Sequence, residues 1–342
     1  MLPDPLYLDH AATTPLLPAA REAMAEGFAL WANPSSPHGP GRAARAALEQ
    51  ARAEMKALLG WGGEVVFTSG ASEALMLAIT RSKAPLVAVS AVEHDAVLRH
   101  AARAERLPVG GEGRVDPASA ALAGLVAVQQ VNSETGVIQP LAEVAAQVRA
   151  AGGALLADCA QGVGKLALPE ADLIALSAHK FGGPIGIGAL LVRDWALLEP
   201  TGGQERGYRG GTENLPGALA MVAALREGPG WLAEAARLRA RIDGAITAAG
   251  GEVVAAGAGR LPAIGAYRMP GRSANAQLIR FDAMGIAISA GSACSSGSLK
   301  PSHVLTAMGA AGAGEVIRVS LGRETTLAEV DRFIAAWQEM AR

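Results

Sequence analysis

The sequence predicts an α/β fold: a large, mostly parallel sheet domain flanked by helices, followed by a smaller α+β domain. Three observations predict it. Short apolar runs of strand length recur through the first 230 residues, helical patterns separate several of them, and after about residue 230 the alternation gives way to a more mixed order. Strands buried on both faces read as continuous apolar runs, and parallel neighbours need a crossover helix between them.

The strand candidates, in order, are EVVFT (64–68), LVAVS (86–90), LVAVQQV (125–131), ALLAD (154–158), LIALS (173–177) and GALLV (188–192). Between the third and fourth lies PLAEVAAQVRAAGG. Leu141, Val144, Ala145 and Val148 fall on one face of a helix there, which Pro140 opens and Gly152 closes. Beyond residue 230 come a helix (WLAEAARLRARIDGAITAA), a Gly/Ala-rich strand region and a short helix near 274–284. The strand GIAIS, a cysteine-bearing loop, a helix from about Ser302 and the strand EVIRVSL follow. A final helix carries a capping box, Thr326 with Glu329, and an apolar stripe of Val330, Ile334 and Trp337.

Composition limits the function. The 342 residues are half apolar, and the 18% of charged residues is low for a monomer, which points to surface buried between subunits. A net charge of −2 offers no electrostatic footprint for nucleic acid. No run approaches the ~18 apolar residues of a membrane span. MLPDPLYLDH lacks the basic start and apolar run of a signal peptide. Cys159 and Cys294, far apart and in unlike contexts, make no disulfide framework or metal clip. A cytoplasmic protein without a membrane or nucleic-acid partner is the expectation.

Three segments carry chemistry. In DLIALSAHKFGGPIGIG, Lys180 follows a buried strand inside a glycine-rich loop; alone, it fits a phosphate-binding, a Schiff-base or a solvated lysine. Asp158 ends the strand ALLAD, where α/β sheets place ligands, and such an acid either caps a turn or holds a heterocyclic nitrogen protonated. TSGASEA is a Ser/Gly turn opening a helix: a plain cap, or an anion site built from free N–H groups and the Ser72 hydroxyl. It has neither nucleotide-binding glycine pattern.

Together with YLDHAATTP, NPSSPHGPG, EHDAVL, VNSETGVIQP, DCAQGVGK, GGQERGYRGGTEN, SAGSACSSGS and IRVSLGRETT, these segments run nearly end to end in a single order. In that order the chain resembles the class V aminotransferase group of enzymes that use pyridoxal 5′-phosphate (PLP), and within it the cysteine desulfurases of iron–sulfur assembly. The resemblance implies a fold type I PLP-dependent transferase. Its large domain would span 12–228, and residues 1–11 with 229–342 would form the small domain.

Carried over residue by residue, Lys180 resembles the lysine that bonds to PLP, Asp158 the partner of the ring nitrogen and Gln161 that of the phenolic oxygen. His94 resembles the histidine stacked on the ring, which also moves protons. Ser72, Ser177 and His179, with the backbone at Gly70 and Ala71, resemble the phosphate ligands. Thr212 would reach the phosphate of the other subunit of a homodimer. Asn132 resembles a residue near the ring oxygen and substrate, Arg318 the clamp on the substrate carboxylate, and Asn33 a further substrate contact. Read singly, His94 is an ordinary structural histidine and Arg318 an arginine paired with a carboxylate.

Cys294 selects among the reactions this group of enzymes performs. The resemblance implies conversion of L-cysteine to L-alanine. The sulfur would be held as a persulfide on Cys294 for an acceptor protein, with transient iron–sulfur contact there and no resident metal. An aminotransferase, a selenocysteine lyase and a non-catalytic sulfur-trafficking scaffold are the alternatives. The chain departs from the family pattern at Ser72, where threonine is usual, at Leu75 and Met76, where polar residues are usual, and at Cys159, where a small residue is usual. Cys159 reads as a small buried hydrophobe. The chain is also short for the family, trimmed around HAARAERLPVGGEGR and GAGRLPAIGAYRMPG.

Overall fold

A computed structural model describes residues 5–291 and 302–342. Its strands, in chain order, are β1 (Leu6–Tyr7), β2 (Glu64–Thr68), β3 (Leu86–Ser90), β4 (Glu105–Leu107), β5 (Leu125–Gln129) and β6 (Ala154–Asp158). They continue with β7 (Leu173–Ser177), β8 (Gly188–Val192), β9 (Glu252–Val253), β10 (Ile264–Arg268), β11 (Ile286–Ala287) and β12 (Val316–Ser320).

Strands β2 to β8 form one sheet in the order β2-β8-β7-β6-β5-β3-β4. Five of its strands pair in parallel; β8 runs antiparallel to both β7 and β2. The exception has a simple cause. No crossover helix separates β7 from β8, so the chain turns back beside the strand it has just left. That short return carries Lys180.

Every strand of this sheet except the edge strand β4 feeds two cores. Val65, Phe67, Val126, Val128, Leu155, Ile174 and Leu176 pack on one face of the sheet. Their chain neighbours Val66, Leu125, Ala127, Leu156, Leu173 and Ala175 pack on the other. The period of two, with apolar residues at both phases, explains why these segments read as unbroken apolar runs. The helix Leu141–Ala150 closes part of the first face with Leu141, Val144, Ala145 and Val148, the four residues the sequence pattern selects.

A second group of elements has its own core. Strands β9, β10 and β12 make an antiparallel sheet, and β1 pairs in parallel with β11. Leu6 and Leu8 are buried there with Leu238, Ile242, Tyr267, Phe281, Val319 and Trp337, so the start of the chain packs into its last third. The helix Leu327–Ala341 has the predicted Thr326–Glu329 capping box. Its buried face differs by one position from the predicted stripe. Val330 and Trp337 are buried, but the fully buried residue between them is Phe333, and Ile334 sits half-buried on the flank. The helix predicted from about Ser302 is a short one, His303–Ala307, capped by Ser302 Oγ. No described helix is long and apolar enough to cross a membrane.

Candidate active site

The carboxyl ends of β5, β6 and β7 open on a cavity of about 370 Å³. Asp158, His94, Lys180, Gln161, Arg318 and the turn Ser69–Gly70–Ala71–Ser72 line it, together with Ser177 and His179. The position follows from topology, since ligands of open α/β sheets sit beyond the carboxyl ends of the strands.

Asp158 closes β6 and is buried. One of its oxygens, Oδ1, accepts from Ala160 N at 2.9 Å. Burial raises its pKa, opposed by that hydrogen bond and by the nearby His94 and Lys180. Behind it lies Glu93, wholly buried; Oε1 accepts from Gln129 N at 2.8 Å, and burial with the Asp158 charge pushes its pKa well up. Two carboxyls so placed do not both ionise easily, and Glu93, the more strongly raised of the two, is the one that burial keeps protonated. His94 caps the short helix Asp95–Leu98, its Nδ1 accepting from Ala96 N at 3.1 Å, which fixes the ring at the cavity wall.

The return from β7 to β8 folds as a single 3₁₀ turn, Ala178–Lys180. Lys180 Nζ donates to Ala11 O and Ala12 O, both at 2.7 Å, and Gln161 Nε2 donates to the same Ala11 O at 2.8 Å. Gln161 Oε1 is buried with no hydrogen-bond partner among the described residues. His179 is tied to the amino-terminal segment, with Nδ1 3.2 Å from Thr13 Oγ1 and its carbonyl accepting from Thr14 N at 2.8 Å. Burial, with Lys180 and Lys165 nearby, pushes the His179 pKa down to about 4, so its ring is neutral near pH 7.

The anion turn opens the helix Ala71–Arg81. Gly70 has φ +156°, a conformation that side chains rarely adopt. Gly188 of β8 lies against it: an added Cβ would be 2.4 Å from Leu176 O and 2.6 Å from Gly70 Cα. Glu73, in the first turn of the helix, accepts from Ser69 N and from Arg209 Nε at 2.8 Å, joining the turn to the segment that carries Thr212. On the opposite side, Arg318 leaves β12 with Nη1 2.9 Å from Ser133 O and Nη2 2.7 Å from Asp9 Oδ1; its Nε is buried without a partner among the described residues.

The remaining sequence candidates fall elsewhere. Asn132 is buried, but its amide holds the backbone, with Nδ2 donating to Val92 O and Oδ1 accepting from Glu134 N and Thr135 N. Asn33 is exposed and caps its own turn through Ser35 N. Thr212 is exposed. None of the three lines the cavity. Cys294 lies outside the described residues. Cys159 is wholly buried, as expected of a small hydrophobe, and burial beside Asp158 and Glu93 pushes its thiol pKa well up. Ala11 and Ala12 were not singled out by sequence, because they act through backbone oxygens. Asp9 could have been found as the acid nearest Ala11 and Ala12 in YLDHAATTP.

The sequence model of the family described as aminotransferase class-V matches residues 6–333. The chain belongs to that family. Within this class-V family, it is 38% identical to a cysteine desulfurase of Cereibacter sphaeroides, over 96% of this chain and 94% of that protein. It is equally identical to an IscS-like cysteine desulfurase of Mycobacterium tuberculosis, over 95% of this chain and 93% of that one. Among solved structures, a NifS-like protein from Rickettsia africae superposes with a TM-score of 0.89 at 28% identity, covering 98% of this chain and 99% of that one. A structure described as SspA in complex with cysteine gives 0.78 at 28%, covering 94% and 100%. These likenesses support the fold type I architecture. The class-V family consists of PLP-dependent enzymes, and the question for this chain is whether its own residues suit PLP.

Proposed function

We propose that the protein is a PLP-dependent cysteine desulfurase that converts L-cysteine to L-alanine and holds the sulfur on Cys294. The observation that carries the reading is the convergence of Lys180, Asp158, His94 and Arg318 on one cavity, in a chain whose full-length relatives are named cysteine desulfurases.

The donor set suits PLP. Asp158 is a buried carboxylate with one oxygen engaged, as a ring nitrogen requires, and Lys180 is an amine at the same wall. The helix amino terminus at Gly70–Ser72, with Ser177 and His179 beside it, fits a phosphate. Gln161 Oε1 and Arg318 Nε are buried polar atoms lacking partners among the described residues, which a polar occupant would satisfy. Bound there, PLP supplies an electron sink for carbanion chemistry at the substrate Cα.

The chain's own residues do the rest. Arg318 binds the substrate carboxylate through its planar fork, and Asp9 and Ser133 set the direction of that fork. Lys180 moves the Cα proton, and His94, held by its cap, serves proton transfer at the ring face. The Cys294 thiolate attacks the substrate sulfur. An S–S bond forms as the C–S bond breaks, the electron pair stays on carbon, and protonation there yields alanine. Thr212, exposed on this protomer, serves the phosphate of a second copy in a homodimer. On this reading residues 12–228 form the cofactor domain, and residues 1–11 with 229–342 form the small domain. An acceptor protein, of iron–sulfur assembly or thiolation, then takes the sulfur in the cytoplasm.

The test is mass spectrometry of the PLP-loaded protein after incubation with L-cysteine alone. A gain of one sulfur on Cys294 with stoichiometric alanine is the expected result. In Cys294→Ala the cofactor colour persists and the sulfur adduct disappears. Alanine and sulfide released at an undiminished rate by that variant would refute the role of Cys294. Transamination products in place of sulfur release would identify an aminotransferase instead.

A further inference from the structure

Behind the wall that Lys180 shares with the main cavity lies a second, smaller one of about 60 Å³. His10, Lys165, Phe181, Trp231, Arg323 and Glu324 line it, among others. Lys165 is only 7% exposed and makes no hydrogen bond or ion pair among the described residues. Its ammonium faces the cavity, and with no acceptor from the chain its desolvation is poorly compensated. His10 Nδ1 is also buried with no hydrogen-bond partner among the described residues. Its ring lies flat against Gly322, where a Cβ would come 2.2 Å from Cε1, so the backbone is shaped to hold the imidazole at that wall.

The neighbouring charges do not satisfy Lys165. Arg323 donates to the carbonyls of Glu227 and Gly228 and lies over the Trp231 ring. Glu324 lines the cavity without pairing with Lys165. His10 and His179 are neutral near pH 7, each pushed down to about 4, chiefly by burial. Lys180 adds a like charge. Among the described residues Lys165 is therefore left without an acceptor, in walls that are otherwise largely apolar: Leu16, Leu17, Phe181 and Trp231.

From these features we infer that the small cavity is a binding site for a small organic carboxylate, its anionic end on Lys165 and His10 and its short carbon chain against Phe181 and Trp231. A carboxylate supplies an acceptor for Lys165, which has none among the described residues, and carries carbon to set against the rings. Phosphate would place no apolar part against the rings. Burial and the Lys180 charge push Lys165 down to about 7, so the ammonium that binds the carboxylate is lost as pH rises above neutrality.

The test titrates propionate into the PLP-loaded protein by isothermal calorimetry, with phosphate and chloride as comparison anions. Unsubstituted, Arg318→Ala and Lys165→Met proteins are compared. Binding that survives Arg318→Ala, weakens at least tenfold in Lys165→Met and exceeds that of phosphate and chloride is the expected result. Binding that is lost with Arg318 and kept without Lys165 would place propionate in the main cavity and overturn the inference. Equal response to all three anions, or no binding, would overturn it as well. Should Lys165→Met not fold, the Arg318→Ala protein alone decides: affinity at pH 8.5 should be roughly thirty-fold below that at pH 6, from loss of the Lys165 charge. A flat profile contradicts the site.

Discussion

Arg318 and Ser289 exchange two backbone hydrogen bonds, Arg318 N to Ser289 O at 2.7 Å and Ser289 N to Arg318 O at 3.2 Å. Ser289 is the first residue of SAGSACSSGS, so the segment bearing Cys294 departs from the backbone of the proposed carboxylate clamp. Arg318→Lys keeps the charge but loses the fork. Losing one charged hydrogen bond costs about 1.5–3 kcal/mol, or roughly 10- to 100-fold in kcat/KM for L-cysteine. Steady-state kinetics with L-cysteine measures it, and an unchanged kcat/KM would remove Arg318 from substrate binding.

Gly188→Ala tests the anion turn without touching a ligand. The new methyl meets backbone atoms of Leu176 and Gly70, which cannot move as a side chain can. Overpacking of this kind costs about 1–3 kcal/mol. A lower melting temperature and a raised dissociation constant for PLP, read by equilibrium dialysis, are expected together. Lowered stability with unaltered PLP affinity would show that the turn is not part of the phosphate site.

Arg52 and Glu205 form a buried, two-point ion pair, at 2.9 and 3.2 Å, and Glu205 also accepts from Phe67 N at 2.9 Å. Glu205 and Arg206 both have positive φ, 46° and 57°, so the pair holds a strained turn in the segment leading to Thr212. Arg52→Met leaves a buried carboxylate alone and should cost about 3–5 kcal/mol. Urea unfolding should show the double variant Arg52→Met/Glu205→Gln more stable than Arg52→Met, because the uncompensated charge is gone while Phe67 N keeps an acceptor. The reverse order would refute this account of the pair.

The pH dependence of stability has a defined sign. Burial lowers the His10 pKa from 6.5 to about 4 in the folded protein. Between those values the unfolded chain binds the proton and the folded chain does not, so this contribution falls as pH drops from 6.5 toward 4. His179 acts in the same direction. Urea midpoints of His10→Gln should therefore fall less steeply than those of the unsubstituted protein over about pH 6.5 to 4.5. Parallel slopes would show that His10 is not buried neutral.

Legibility in the sequence tracked how each residue acts. Glu64–Thr68, Leu86–Ser90 and Leu173–Ser177 match their predicted spans because both faces are buried and the apolar run is sharply bounded. LVAVQQV ends as a strand at Gln129, and Val131 keeps only an isolated bridge to Ile138. Strands β1 and β11 were not readable at their true length, since two residues carry no period and their partner supplies the pairing. β4 hides behind the exposed charges of Glu105 and Arg106, which suit a sheet edge. At the cavity, Lys180, Asp158, His94 and Arg318 were legible because the roles proposed for them belong to side chains. Ala11 and Ala12 contribute only carbonyl oxygens, which any residue has. Lys165 was in view inside DCAQGVGK, but its isolation is a property of three-dimensional packing alone.

The first strand also sets a schedule for synthesis. Leu6 pairs opposite Ile286, Ala11 N donates to Ser320 Oγ, and the oxygens that hold Lys180 lie in this same opening segment. A chain emerging from the ribosome exposes these residues before the partners they dock on, and must keep them undocked until those partners have been made. The seven-stranded sheet can form during translation, but the wall behind Lys180 is completed only after Ser320 has emerged.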